Sequence, residues 1–190
     1  HVLADFVLLR DAESLWLYTR QAAKENLISN FRRAIFREKV ALNDVSDTFA
    51  ILSLQGPRAA SVIESAFLES ALPSALYSHT LIRTHPHTLI ANHPRASNAG
   101  YDLLAPREHK AAIWGALIAA GARAVGIDAL NVARIEAGIA WYGDDYDETT
   151  LAPEARLEKF IAPHKGCYPG QEVIARIRNL GHVNRVLVQF

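Results

Sequence analysis

Two short apolar runs, residues 2–9 and 15–18, flank the polar stretch 10–14 and predict a β-hairpin. From residue 21 the period lengthens. Leu27, Phe31 and Ile35 recur every four residues and predict an amphipathic helix over 21–36, with those side chains on its buried face. A second clear strand follows at 49–54. Gly56-Pro57 then opens a helix whose apolar stripe is Ala59, Val62, Ile63, Ala66 and Phe67. Short strands at 80–83, 88–91 and 101–104 come next, with a helix over 108–120. Val132, Ile135 and Ile139 mark the buried stripe of another helix over 128–139. Strands in hairpins with helices on one face predict an α+β fold of mostly antiparallel sheets. The succession hints at repeated two-strand-plus-helix units, although no sequence repeat accompanies it. The absence of a Gly-rich phosphate loop argues against a nucleotide-binding fold.

Composition narrows this picture. The 190 residues, 50% hydrophobic and 21% charged, suffice for a normal core and read as a single domain over 1–190, with two lobes at 1–75 and 76–190. Lys plus Arg and Asp plus Glu total 20 each, so no global field draws the chain to nucleic acid or to an anionic membrane, and only a local basic patch is left open. A single cysteine makes neither an internal disulfide nor a metal cage of its own. It suits a reducing compartment, a bacterial cytoplasm or a mitochondrial matrix. No apolar run approaches the roughly 20 residues of a membrane span. The chain opens on His1 with strand-like sequence from Val2 onward and reads as a piece of a longer protein.

Several polar residues are candidates for chemistry. On an extended strand Asp5 shares a face with Leu3, Val7 and Leu9, which makes it a partly desolvated acid; a pocket rim or a turn cap fits the same position. Arg134 and Glu136 flank the stripe of the 128–139 helix, as solvated charges, a structural salt bridge or site residues. Beyond them Trp141, Tyr142 and Tyr146 interleave with Gly143, Asp144, Asp145 and Asp147. That pattern is either a stacking platform with acceptors beside it or an acidic surface loop with half-buried rings, and it lacks the spacing of a calcium loop. His79, His85, His87 and His93 gather in one segment, yet their spacing fits no zinc pattern and they read as solvated loop histidines, so no metal site is expected. His164 and His182 lie nearer Cys167 in sequence.

The most specific run is Lys165, Gly166, Cys167, Tyr168, Pro169, Gly170, Gln171, Glu172. Glycines four residues apart around Tyr-Pro predict a tight exposed turn, with glycine supplying positive φ. Lys165 favours the thiolate electrostatically, and a helix opened by Gln171 and Glu172 brings a positive dipole end. The alternative is a small buried hydrophobe. This run resembles the signature of the YgfZ-type folate-binding proteins, relatives of the glycine-cleavage aminomethyltransferase (T-protein) that act in iron–sulfur cluster assembly. Leu54-Gln55-Gly56-Pro57, Arg134-Ile135-Glu136-Ala137-Gly138, and Asp147-Glu148-Thr149-Thr150 ahead of Pro153-Glu154-Ala155 fit the resemblance in the same order.

The resemblance implies a T-protein-like folate-binding domain, with more sequence before this stretch and a small β-barrel after Phe190. It implies tetrahydrofolate as cofactor, and iron–sulfur assembly machinery or client proteins as partners. It also implies catalytic roles for Cys167, Lys165 and Asp5, and cofactor contacts from Asp5, Arg134, Glu136, Tyr142, Gly170, Gln171 and Glu172. Three departures from the T-protein pattern stand out. T-proteins carry adjacent aspartates where this chain has Ala4 and Asp5, Cys167 and Gln171 replace their Asp and Arg, and Asn98 stands near the place of their pterin-gripping Glu. The expected function is a tetrahydrofolate-binding protein that supports assembly or repair of iron–sulfur proteins. One alternative is a folate-dependent aminomethyltransferase-type one-carbon transferase; another is a folate-independent cysteine hydrolase or redox enzyme.

Overall fold

The computed structural model describes residues 1–68, 71–82, 87–162 and 165–189. His85, His164, Arg83 and Phe190 lie outside the described residues. Contacts divide the chain into two compact units. One comprises His1–Phe6, Thr19–Val40 and Ala140–Phe190, and the other Val7–Tyr18 and Ala41–Ile139.

The larger unit is an antiparallel sheet covered on both faces. Its four strands, β3 (Phe49–Gln55), β4 (His79–Leu81), β5 (Leu89–Asn92) and β6 (Gly100–Pro106), lie in the order β3-β6-β5-β4. β1 (Val7–Arg10) and β2 (Leu15–Tyr18) form a separate hairpin. Because side chains alternate along a strand, β6 supplies both cores. Leu103 and Ala105 join Leu52 and Ile90 against Ile63 and Phe67 of helix α2 (Ala59–Phe67) and Ile113 and Leu117 of helix α3 (Lys110–Ala119). Leu104 on the other face joins Leu89 and Ala91 against Leu9 and Tyr18 of the hairpin. Each leucine or isoleucine side chain so buried contributes about 1.5–3 kcal/mol. The pairing of β3 with β6 joins residues on either side of position 75.

The α+β class, the antiparallel pairing and the helix-covered face agree with the sequence pattern, and the stripe of α2 is buried as expected. Three local expectations are corrected. The strand of residues 2–9 is confined to Val7–Arg10, since Val2 instead donates its amide to the Thr150 carbonyl at 2.8 Å, in the smaller unit. Asp5 is therefore not on a strand face. The helix expected over 21–36 is α1 (Gln21–Ala34), with Ile35 already extended and Phe36 84% exposed.

The third correction concerns helix α4 (Ile127–Glu136). Val132 and Ile135, expected to be buried, are 58% and 42% exposed, whereas Arg134 is buried at 3%. The motif Arg134 to Gly138 explains the inversion as a helix stop. Gly138 sits at φ 67°, its amide bonds the Ile135 carbonyl, and the Ile139 amide bonds the Arg134 carbonyl, the two bonds of a Schellman ending. Arg134 then donates from Nε to Asn131 Oδ1 (2.7 Å) and from Nη1 to the Ile139 carbonyl (3.0 Å), which satisfies a guanidinium that burial would otherwise penalise.

The smaller unit contains α1 and α5 (Gln171–Leu180). Its core holds Ala23, Tyr142, Tyr146 and Ala155, with Val2, Ala4, Ala140 and Leu157 packed around them. No helix among the described residues is long and apolar enough to cross a membrane.

Candidate functional site

Asp5 of the smaller unit is partly buried and receives one hydrogen bond on its carboxylate, from the Tyr146 hydroxyl to Oδ2 at 2.9 Å. Its carbonyl accepts from the Thr19 hydroxyl, which fixes the backbone at the entry to α1. Burial, then the facing Asp5 carboxylate, push the Tyr146 phenol far above its usual range, so it stays protonated and serves Asp5 as a donor. Asp5 Oδ1 has no hydrogen-bond partner among the described residues. A carboxylate with one oxygen anchored and the other unspent can accept from a ligand's N–H group.

The aromatic loop that follows α4 turns its rings inward. Trp141, Tyr142 and Tyr146 are 8%, 2% and 5% exposed, and Tyr142 and Tyr146 meet edge to face at 5.8 Å. Tyr142 accepts from Asn26 Nδ2 (3.1 Å) and donates to Glu148 (3.3 Å), so ring and hydroxyl both serve the core rather than a stacking surface. The loop acids are engaged locally. Asp144 pairs with Arg20 at 2.6 Å, Arg20 lies over the Trp141 ring at 4.4 Å, and Asp145 accepts from the Trp141 amide. Asp147 accepts from the amide and hydroxyl of Thr149, which hold its carboxyl below the usual range. Gly143 has φ 88°, and a Cβ there would lie 2.9 Å from Ala22 Cβ, so both backbone and packing require glycine.

The Lys165–Glu172 run forms the exposed turn its sequence predicts, with Cys167 exposed. Gly170 takes φ 86° as the residue before α5, and the Gln171 amide bonds the Tyr168 carbonyl at 3.1 Å. Gly166 does not adopt positive φ, so one glycine rather than two supplies it. The Lys165 ammonium rests over the Tyr168 ring at 4.2 Å. Glu172 reaches forward to Arg176 (3.1 Å) instead of back to cap the turn. Beside the turn a recess of about 180 Å³ is lined by Phe160, Ile161, Lys165, Tyr168, Pro169 and Ile174.

The larger unit holds a cluster that the sequence reading missed. Asp102, on β6 and fully buried, accepts from Tyr18 (2.9 Å), from His93 Nδ1 (2.7 Å) and from Arg95 Nε and Nη2 (2.9 and 2.8 Å). Burial acts to raise its pKa, but the His93 and Arg95 contacts outweigh it and hold the carboxyl below the usual range. Burial and then Asp102 push the Tyr18 phenol far up. A charged residue inside the apolar strand Tyr101–Ala105 was the available signal. Of the histidines, His93 is thus tied to a carboxylate, and His79 lies on β4.

The fold agrees with a known protein structure, and the sequence with a known family. A family model described as the GCVT N-terminal domain matches residues 1–165. An aminomethyltransferase of Rubrobacter xylanophilus is 30% identical over 191 residues, covering 98% of this chain and 50% of that protein. One from Cupriavidus necator is 34% identical over 151 residues, 75% of this chain and 38% of the relative. The solved glycine cleavage system aminomethyltransferase T from Bartonella henselae shares the fold, with a TM-score of 0.68 at 24% identity over 85% of this chain and 44% of that one. The chain spans about half the length of the curated relatives it matches. With its family model matched over most of its length, this chain belongs to the GCVT N-terminal domain family, among T-protein-like relatives.

Proposed function

We propose that this chain is a tetrahydrofolate-binding domain of the aminomethyltransferase type, both compact units belonging to that one domain. The observation that carries the reading is Asp5: a partly buried carboxylate oriented by Tyr146, with Oδ1 unspent, in a family whose relatives are aminomethyltransferases. The donor set fits the cofactor, because a reduced pterin presents ring N–H groups and a carboxylate is an acceptor-only group. When bound, tetrahydrofolate supplies the nitrogen that accepts a one-carbon unit. Asp5 binds and orients the ring, Tyr146 holds Asp5, and the single acid beside Ala4 serves binding more directly than group transfer. Glu136 and Gln171 are carried as further contacts on the family resemblance. For Arg134, Tyr142 and Gly170 the geometry supports a supporting role, in the helix stop, the core and the turn respectively.

A second reading is favoured by one observation, the exposed Cys167 on a turn shaped by Gly170. It places the chain in the YgfZ-type branch, where the thiol contacts a cluster, a sulfur species or a partner in support of iron–sulfur proteins. Anaerobic calorimetric titration of tetrahydrofolate into the protein and its Asp5→Ala and Cys167→Ala variants tests both readings. Binding lost with Asp5→Ala and kept with Cys167→Ala supports a pterin site distinct from the thiol. No binding to the unmodified protein removes the folate reading. Cells in which Cys167→Ala fully sustains cluster-dependent enzymes remove the second.

A further inference from the structure

His93 opens the turn between β5 and β6, and that turn is fixed before any ligand arrives. Gln55, at the end of β3, donates from Nε2 to the His93 carbonyl (3.2 Å) and accepts from the Arg95 amide at Oε1 (2.7 Å). The His93 amide donates to the Gly100 carbonyl at 3.0 Å, and a Cβ at position 100 would lie only 2.0 Å from Gln55 Oε1. Glycine at 100 and glutamine at 55 therefore hold the backbone that aims the imidazole.

Asp102 then decides where the imidazole proton sits. Ionised and buried, it only accepts, so His93 donates from Nδ1 across the 2.7 Å contact, while the Tyr18 hydroxyl, 3.0 Å from the same nitrogen, donates to Asp102. In the neutral ring this leaves the lone pair on Nε2. Nε2 has no hydrogen-bond partner among the described residues and is not one of the buried unpartnered atoms, and the side chain is 17% exposed. The Tyr77 and Tyr18 rings, 5.4 and 5.8 Å away, restrict the ring's rotation. Asp102 has two further partners, the Arg95 guanidinium and the Tyr18 hydroxyl. The contact both orients His93 and, ahead of Arg95, helps to keep the buried Asp102 ionised.

We propose that His93 is a ligand-facing acid–base residue of the larger unit, with Asp102 as its positioning residue. Nε2 accepts a hydrogen bond from a neutral N–H or O–H donor on a small molecule. Where a proton moves, it passes from that donor to Nε2, the bonding electrons stay on the donor atom, and the imidazolium faces Asp102. An anionic ligand is disfavoured because the Arg95 charge is spent on Asp102.

Nitrogen NMR of the unliganded protein comes first, with the neutral Nδ1–H tautomer expected at His93; a dominant Nε2–H tautomer overturns the proposal. Acylation by diethyl pyrocarbonate, read by peptide mass, is expected to modify His93, and an unreactive His93 overturns it equally. Asp102→Asn is expected to mix the tautomers, while Tyr18→Phe, which leaves the carboxylate in place, is expected to preserve Nδ1–H and thereby separates positioning from folding.

Discussion

Two carboxylates, one in each compact unit, are treated in opposite ways. Asp102 is fully buried and accepts from Tyr18, His93 and Arg95, so its electrostatic capacity is used up inside the protein. Asp5 is partly buried and has one side-chain donor, Tyr146, on one oxygen. A saturated acid reports on stability, and an unsaturated one has capacity left for a ligand. The same contrast separates the rings: Tyr142 and Tyr146 are committed to a core, while the Cys167 turn presents its thiol outward.

The largest effect expected from this contrast is on folding. Asp102→Asn leaves Arg95 facing a neutral amide in a buried setting and is expected to cost about 3–5 kcal/mol in a urea titration. Asp5→Ala takes the acceptor from the buried Tyr146 hydroxyl and is expected to cost about 1–3 kcal/mol while abolishing tetrahydrofolate binding. Equal destabilisation by the two variants would erase the distinction. Acid titration sharpens it. The Asp102 carboxyl titrates below its usual value in the folded protein, so its stabilisation is complete above about pH 4 and is lost as pH falls through the depressed native value. Unfolding followed by circular dichroism should therefore show an acid limb below about pH 4 that is shallower in Asp102→Asn.

These residues also show what can be read from sequence. The stripe of α2 was legible because a single face of that helix meets a core, and burial on one face is what periodicity records, while β2 was legible as a short apolar run after a polar stretch. Residues 2–6 were misread because an apolar run does not say which backbone will receive its hydrogen bonds, and Val2 bonds Thr150, far along the chain. The α4 stripe failed for a related reason. Apolar spacing placed Val132 and Ile135 inside, but the chain buries Arg134 instead, through a stop motif whose glycine was visible and whose geometry was not. The Cys167 turn was legible from its glycines, although only Gly170 uses positive φ. The Asp102 cluster escaped because its members are local in part and distant in part: His93 and Arg95 lie nine and seven residues away, while Tyr18 lies 84 away across the fold.

Gly138 offers an effect of intermediate size. At φ 67° an alanine enters the left-handed region at a cost of about 1–2 kcal/mol, slightly offset by the smaller entropy of its unfolded chain. Gly138→Ala is therefore expected to lower stability by about 1 kcal/mol and to loosen the Ile139 amide in hydrogen exchange, since that amide closes the Schellman ending on Arg134. A full-strength Ile139 protection factor in the variant would show that Arg134, bonded to the Ile139 carbonyl, holds the stop without the glycine.

The smallest expected change runs in the favourable direction. Thr88, at the entrance to β5, is fully buried, and its hydroxyl has no hydrogen-bond partner among the described residues. Like His109 Nδ1, it is a counterexample within the larger unit: a polar atom excluded from water that, unlike Asp102, is given nothing in return by the described residues. Valine has nearly the same shape and removes the unsatisfied group, so Thr88→Val is expected to raise stability by about 1 kcal/mol. A loss of stability on that substitution would mean the hydroxyl is served by a bound water. The larger unit would then be as fully satisfied around Thr88 as it is around Asp102, and its contrast with the half-satisfied Asp5 would be sharper.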